Sequence, residues 1–149
     1  MLAEIFRASV EQLAAEDYSE SQREAWASAV DDEKSFTEKL GKQLTLIGTL
    51  AGSPVGFISL AGTDKIDMLY VHPAAASQGV ASMLLDALEK LAGARGASVL
   101  KVDASDTAAP FFEKRGYEAQ QRNTVTVQGE WLANTTMQKQ VATAQKREA

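Results

Sequence analysis

Residues 65–89, KIDMLYVHPAAASQGVASMLLDALE, constrain the fold more than any other stretch of this chain. A β-rich run ends at a His-Pro turn, a short loop with one glycine follows, and apolar residues then recur at helical spacing. Val80, Met83, Leu84, Ala87, Leu88 and Leu91 fall three and four apart, which predicts one face of an amphipathic helix. The loop delivers Gln78, Gly79, Val80, Ala81 and Ser82 to the helix start, where backbone N–H groups lack intrahelical acceptors. Those donors and the positive end of the helix dipole suit a phosphate-like anion. A strand feeding such a site predicts a cofactor-binding device.

The elements around this unit follow from local signals. Leu2, Ile5, Phe6, Ser9/Val10 and Leu13 predict a helix from the first residue to about Ala15. Ser19 with Gln22 is a capping box for a second helix carrying Ala25, Trp26 and Ala29. Asp31-Asp32 caps a third, with Phe36 and Leu40 inward and Gly41 closing it. Residues 43–50 and 55–60 read as a hairpin joined by Ala51-Gly52-Ser53-Pro54, and residues 65–71 as a third strand. The central helix runs to about Ala92. A buried strand at 99–102, a helix at 107–115 ended by Gly116, and strands at 117–121, 124–127 and 131–137 complete the chain. Helices, antiparallel strands and one strand–helix–strand crossover predict an α+β protein, its mixed sheet mostly antiparallel and flanked by helices. Residues 1–138 are expected to form one domain and residues 139–149 a polar tail.

Composition narrows the function classes. The chain has 149 residues, no cysteine and one histidine, so disulfides and thiolate metal sites are excluded and no metal cofactor is expected. Fifteen basic against twenty acidic residues leave a net charge of −5 without a Lys/Arg cluster, which argues against nucleic acid. No apolar run is long enough to cross a membrane and no leader pattern opens the chain, so a cytoplasmic protein is expected. One glycine in the loop is too few for a dinucleotide fingerprint, and no P-loop lysine follows it.

LYVHP followed by SQGVASMLLDALEKL, then LKVDAS and AAPFFEKRGY, resembles the GNAT superfamily of acyl-CoA-dependent N-acyltransferases. DYSESQREAW, FFEKRGY and GEWLANTTM resemble more narrowly its YafP-type branch. The resemblance covers residues 2–139 and implies that the strands ending near Val71 and Val102 splay apart to admit the pantetheine arm of acetyl-CoA. It assigns the cofactor to Leu69, Tyr70, Val71, Ser77, Gln78, Gly79, Val80, Ala81, Ser82, Ser105, Ala108, Phe111 and Phe112. Leu69 and Val71 would act through their main chain, and the loop amides would hold the pyrophosphate. Four places depart from the family pattern. Ala76 replaces a Gln or Arg, Ser105 replaces an Asn, and Phe112 stands where a proton-donating Tyr often sits. The family's first strand is also missing ahead of Met1, which leaves either a misassigned start or a sheet one strand short with an exposed edge.

Acyl transfer to an amine needs a base near the strand gap. Asp67, two residues before Leu69 and so on the same face of an ideal strand, is the candidate; a solvated edge carboxylate is the competing reading. Asp103 reads as a second carboxylate with a turn role, His72 as a turn residue before Pro73, and Tyr117 as core. Tyr18, Trp26, Trp131 and Asn134 are the candidate acceptor contacts, although packing explains aromatic residues equally well. The reading is an N-acetyltransferase that moves the acetyl group of acetyl-CoA to a small amine by direct attack in a ternary complex. A non-catalytic acyl-CoA-binding or regulatory module is the alternative, and a homodimer through the strands after Tyr117 is expected.

Overall fold

The computed structural model describes residues 1–141. It opens on α1 (Leu2–Ala8), which continues into a π-helical turn at Ser9–Leu13. The extra residue per turn rotates the face, so Val10 is buried and Leu13 is exposed, where a regular helix to Ala15 was expected. α2 (Glu20–Ala27) begins at the predicted capping box: Ser19 Oγ accepts from the Gln22 N–H at 3.1 Å, and the Ser19 N–H donates to Gln22 Oε1 at 2.8 Å. We expect Ser19→Ala to cost about 1 kcal/mol in chemical denaturation. A midpoint unchanged from wild type would mean that α2 is held by packing alone. α2 passes into a 3₁₀ turn at Ser28–Val30, which buries Ala27 and Val30 and leaves Ala29 in solvent, contrary to the helical extrapolation. α3 (Glu33–Gly41) is capped by Asp32 and buries Phe36 and Leu40, as expected.

Six strands form one sheet in the order β1-β2-β3-β4-β6-β5. β1 (Leu44–Leu50) and β2 (Ser53–Ala61) form the predicted hairpin about Ala51-Gly52, both at positive φ. β3 spans Lys65–Val71 as predicted. α4 (Val80–Ala94) crosses to β4 (Val99–Ser105), the single parallel neighbour of β3. β4 outruns its apolar core because β6 pairs with it from Val99 to Ser105. α5 (Ala109–Lys114) begins two residues later than expected, since the Ala108 N–H turns back onto Ser105 Oγ. β5 (Glu118–Val127) is one strand rather than two. A bulge between Ala119 and Gln121 absorbs the irregularity, and Arg122 and Asn123 pair with Thr135 and Asn134 of β6 (Glu130–Gln140). β6 runs two residues into the expected tail, and Val141 is buried beside it; the rest of that tail lies outside the described residues.

The two faces of the sheet are covered differently. α4 and α5 bury Ile58, Leu60, Ile66, Leu100 and Met137, while α1 and α3 bury Phe57 and Met68 on the other side. α4 presents Val80, Leu84, Leu85, Leu88 and Ala92 to the sheet. Met83, at 51% exposure, and Leu91, at 40%, lie on the flank of that stripe and not within it. Among the described residues β1 is an edge strand, and Ile47 is exposed on it.

Candidate active site

β3 and β4 pair only at Lys65 with Lys101 and Ile66 with Val102, and then separate. The cause lies in β3. Ser59 faces Met68 across β2 but Leu60 faces Ile66, so Asp67 is an extra residue in the strand. Such a bulge bends its strand and sharpens the local twist. Beyond it β3 stays on β2: the His72 N–H donates to Val55 O at 2.7 Å. Main-chain groups alternate along a strand, so Met68 and Tyr70 also turn theirs toward β2 while Leu69 and Val71 turn theirs to the gap. On the other wall the Lys101 N–H donates to Asp64 O at 2.8 Å, and the same alternation aims Asp103 and Ser105 into the gap. The result is a wedge bordered by unpaired peptide groups.

The loop after β3 is built to present amides. His72 Nδ1 accepts from the Ala74 N–H at 3.0 Å, so the ring serves the turn before Pro73 and lines neither cavity. Ser77 and Gly79 both have positive φ, at 63° and 79°. Glycine takes that conformation freely, whereas a serine there is strained by on the order of 1 kcal/mol. Such departures from regular backbone turn successive N–H groups toward one side, as an anion-accepting concavity requires. The first helical bond is from the Met83 N–H to Gly79 O, which leaves the N–H groups of Val80, Ala81 and Ser82 without main-chain acceptors among the described residues. No acidic residue occupies the first turn of α4.

Two connected spaces meet at the wedge. The first is a groove of about 460 Å³ running from the loop along β3. Leu69, Tyr70, Val71, Ser77, Gly79, Val80, Ala81, Ser82, Ser105, Ala108 and Phe111 all line it. Gln78 does not line it; its amide folds back on Ala74 O at 3.3 Å. Phe112 does not either, being 1% exposed and packed against Tyr117 with ring centroids 5.2 Å apart. The groove is completed by Val10 and Leu13 of the π-helical turn. Local spacing carries no signal for that turn, so those two went unpredicted.

The second space, about 210 Å³, lies between β3, β4, β6 and α2 and contains Tyr18, Trp26, Asp67, Asp103, Phe112 and Asn134 in its walls. Trp131 is not among them. It is 67% exposed on the far side of β6, where alternation puts Leu132 and Asn134 toward the cavity. Only the Trp131 carbonyl is used, accepting from Gln22 Nε2 at 2.8 Å. Tyr18 is present as a wall. Its hydroxyl donates to Ala133 O at 2.6 Å and accepts from the Asp106 N–H at 2.9 Å, bracing α2 against β6 and the turn after β4. Burial pushes its phenol above the ordinary tyrosine range.

The carboxylates differ in their holders. Asp67 does not share a face with Leu69, because the bulge breaks the alternation: Leu69 packs on the α4 side and the Asp67 carboxylate turns toward α3. Its Oδ2 accepts from Gln43 Nε2 at 3.0 Å and lies 3.3 Å from Lys39 Nζ, while Oδ1 has no protein hydrogen bond among the described residues. Burial raises the Asp103 carboxyl, but hydrogen bonds from Thr136 and Lys65 outweigh that and hold it below the usual carboxylate range. Asp103 is therefore a poor proton acceptor. Tyr117 donates to Glu89 Oε2 at 2.8 Å within the core and takes no part in either space.

A parallel pair that splays beside an amide-lined loop, with a groove on one side and a smaller cavity on the other, fits a transferase that takes its group from a carrier molecule. The family model described as "Acetyltransferase (GNAT) domain" matches residues 14–141, and the chain belongs to that family of acetyltransferases. It is 40% identical over 136 residues to the uncharacterized N-acetyltransferase YafP of Escherichia coli K12, covering 91% of this chain and 85% of that protein. A GCN5-related N-acetyltransferase from Rhodopseudomonas palustris, known from a crystal structure, is 66% identical with a TM-score of 0.92, covering 94% of this chain and 88% of that one. The PaiA N-acetyltransferase of Thermoplasma acidophilum, solved in complex with coenzyme A, shares the fold at 19% identity, with a TM-score of 0.75 over 93% of this chain and 90% of that one.

Proposed function

We propose that this acetyltransferase moves the acetyl group of acetyl-CoA to the amine of a small molecule by direct attack in a ternary complex. The observation that carries this reading is the pair of open peptide groups at Leu69 and Val71, placed where groove and cavity meet. Coenzyme A fits the groove chemically. The amides from Ser77 to Ser82 would receive its pyrophosphate, and the main chain of Leu69 and Val71 would bind the pantetheine arm as an added strand. The Val71 N–H would face the thioester carbonyl, stabilising the oxyanion that attack creates. The amine would enter from the cavity side. Asp67, through its free Oδ1 or an intervening water, would accept the proton that the amine loses.

Thermal unfolding tests the cofactor assignment directly. Acetyl-CoA at a hundred times its dissociation constant stabilises the native state by about 2.7 kcal/mol, which for a chain of this size raises the midpoint by about 5–10 °C. No shift in a folded protein would remove acetyl-CoA from the reading. Coenzyme A release with a panel of amines then identifies the acceptor. Pairing of two copies through the strands after Tyr117 belongs to the same proposal, supported by β5, whose outer edge is unpaired among the described residues. Light scattering that returns a monomer removes it.

A further inference from the structure

We infer that the Tyr70 hydroxyl is the hydrogen-bond donor that meets the departing sulfur of the thioester, an inference that rests on the acetyl-transfer reading above. Trp26, Leu69, Tyr70, Ser105 and Ala108 line both the groove and the cavity, so they surround the junction where the two substrates meet. Only Tyr70 and Ser105 bring a hydroxyl there. Ser105 Oγ is engaged as an acceptor for the Ala108 N–H at 3.1 Å, closing the turn into α5. Tyr70 Oη accepts from Trp26 Nε1 at 3.3 Å, and among the described residues its own O–H has no acceptor. A half-buried hydroxyl at this junction, with its proton uncommitted, is placed to meet a partner that arrives from outside the protein.

The ring cannot turn away to find another one. It is packed on Phe6 at 4.4 Å, Phe57 at 5.9 Å and Trp26 at 6.3 Å between centroids. The Trp26 N–H bond also occupies the acceptor side of the hydroxyl, which leaves its proton available to a ligand at the junction. The Asp67 bulge sets this orientation, since it puts Tyr70 on the α1–α3 face while Leu69 and Val71 keep the α4 face.

The chemistry needs such a donor. As the C–N bond forms, the C–S bond breaks and its electron pair passes to sulfur. The amine proton goes to Asp67 or its water, and the thiolate is protonated afterwards by solvent. Tyr70 keeps its proton throughout: burial pushes its phenol well above the ordinary tyrosine range, so it donates a hydrogen bond to the thiolate without transferring the proton. Tyr70 is on this account a catalytic residue through contact with sulfur.

The chain contains no cysteine, so bound coenzyme A supplies the only thiol in the complex. Its ionisation can be followed by the ultraviolet absorbance of the thiolate, as the difference between loaded and unloaded protein across pH. A hydrogen bond to the thiolate favours the charged form, so Tyr70→Phe should raise the thiol midpoint by about one pH unit. Replacement of Tyr70 by 3-fluorotyrosine, a more acidic donor that keeps the hydroxyl, should move the midpoint in the opposite direction and covers the case in which the Phe variant fails to fold. With the acceptor amine in hand, kcat for Tyr70→Phe should fall about 10- to 100-fold at unchanged KM for acetyl-CoA. Identical thiol midpoints in wild type and both variants overturn the role of Tyr70 while leaving acetyl transfer intact. Failure of wild type to bind coenzyme A overturns both.

Discussion

Asp67→Asn lowers turnover of the amine by about 10²- to 10⁴-fold at neutral pH while acetyl-CoA still raises the unfolding midpoint as in wild type. The substitution keeps the size of the side chain and leaves Asn Oδ1 as an acceptor for the Gln43 amide, so the bulge and its support survive. What it removes is the negative charge of a carboxylate in the cavity wall. The lost ion pair with Lys39 matters little to stability, because Lys39 is more than half exposed and such pairs contribute about 0–1 kcal/mol. An apparent rescue at high pH, where the free amine is abundant without help, would be the signature of a missing base. Turnover equal to wild type across the pH range would take Asp67 out of the mechanism and leave it as a structural anchor for α3.

The second large effect concerns the amide-lined loop. Ala81→Glu is expected to raise the KM for acetyl-CoA about 100-fold, since charges roughly 6 Å apart at an effective dielectric of about 20 repel by roughly 3 kcal/mol. The same change should leave the unliganded protein as stable as before, or more stable by about 0.3–1 kcal/mol, because a carboxylate in the first turn complements the helix dipole. Ala81 lines the groove, and α4 has no acid in that turn, so the variant fills a position where protein stability and anion binding ask for opposite charges. Opposite signs in the two measurements separate loss of a binding site from loss of fold. An unchanged KM would mean that the pyrophosphate is held elsewhere.

Much of this architecture is legible in residue order. The Ser19–Gln22 capping box, the Asp32 cap and β3 at Lys65–Val71 are found where spacing puts them. The amide-bearing loop is equally plain, because a strand, a His-Pro turn and one glycine ahead of an apolar helical stripe leave few other arrangements. These are local effects. Caps, turns and periodicity act within a few residues, and the chain carries them wherever it folds.

The site's orientation is not local. On an ideal strand Asp67 and Leu69 share a face, and only pairing with β2 inserts the extra residue that separates them, turns Tyr70 toward Trp26 and opens the wedge against β4. Trp131 reads as a pocket aromatic until β6 takes its register, after which alternation gives the cavity to Leu132 and Asn134. The π-helical turn that brings Leu13 to the groove, and the bulge that makes β5 one strand, likewise depend on partners far away in the chain. A strand's neighbours fix which of its two faces is inward, and that information resides in the contacts between strands rather than in either strand's own residues.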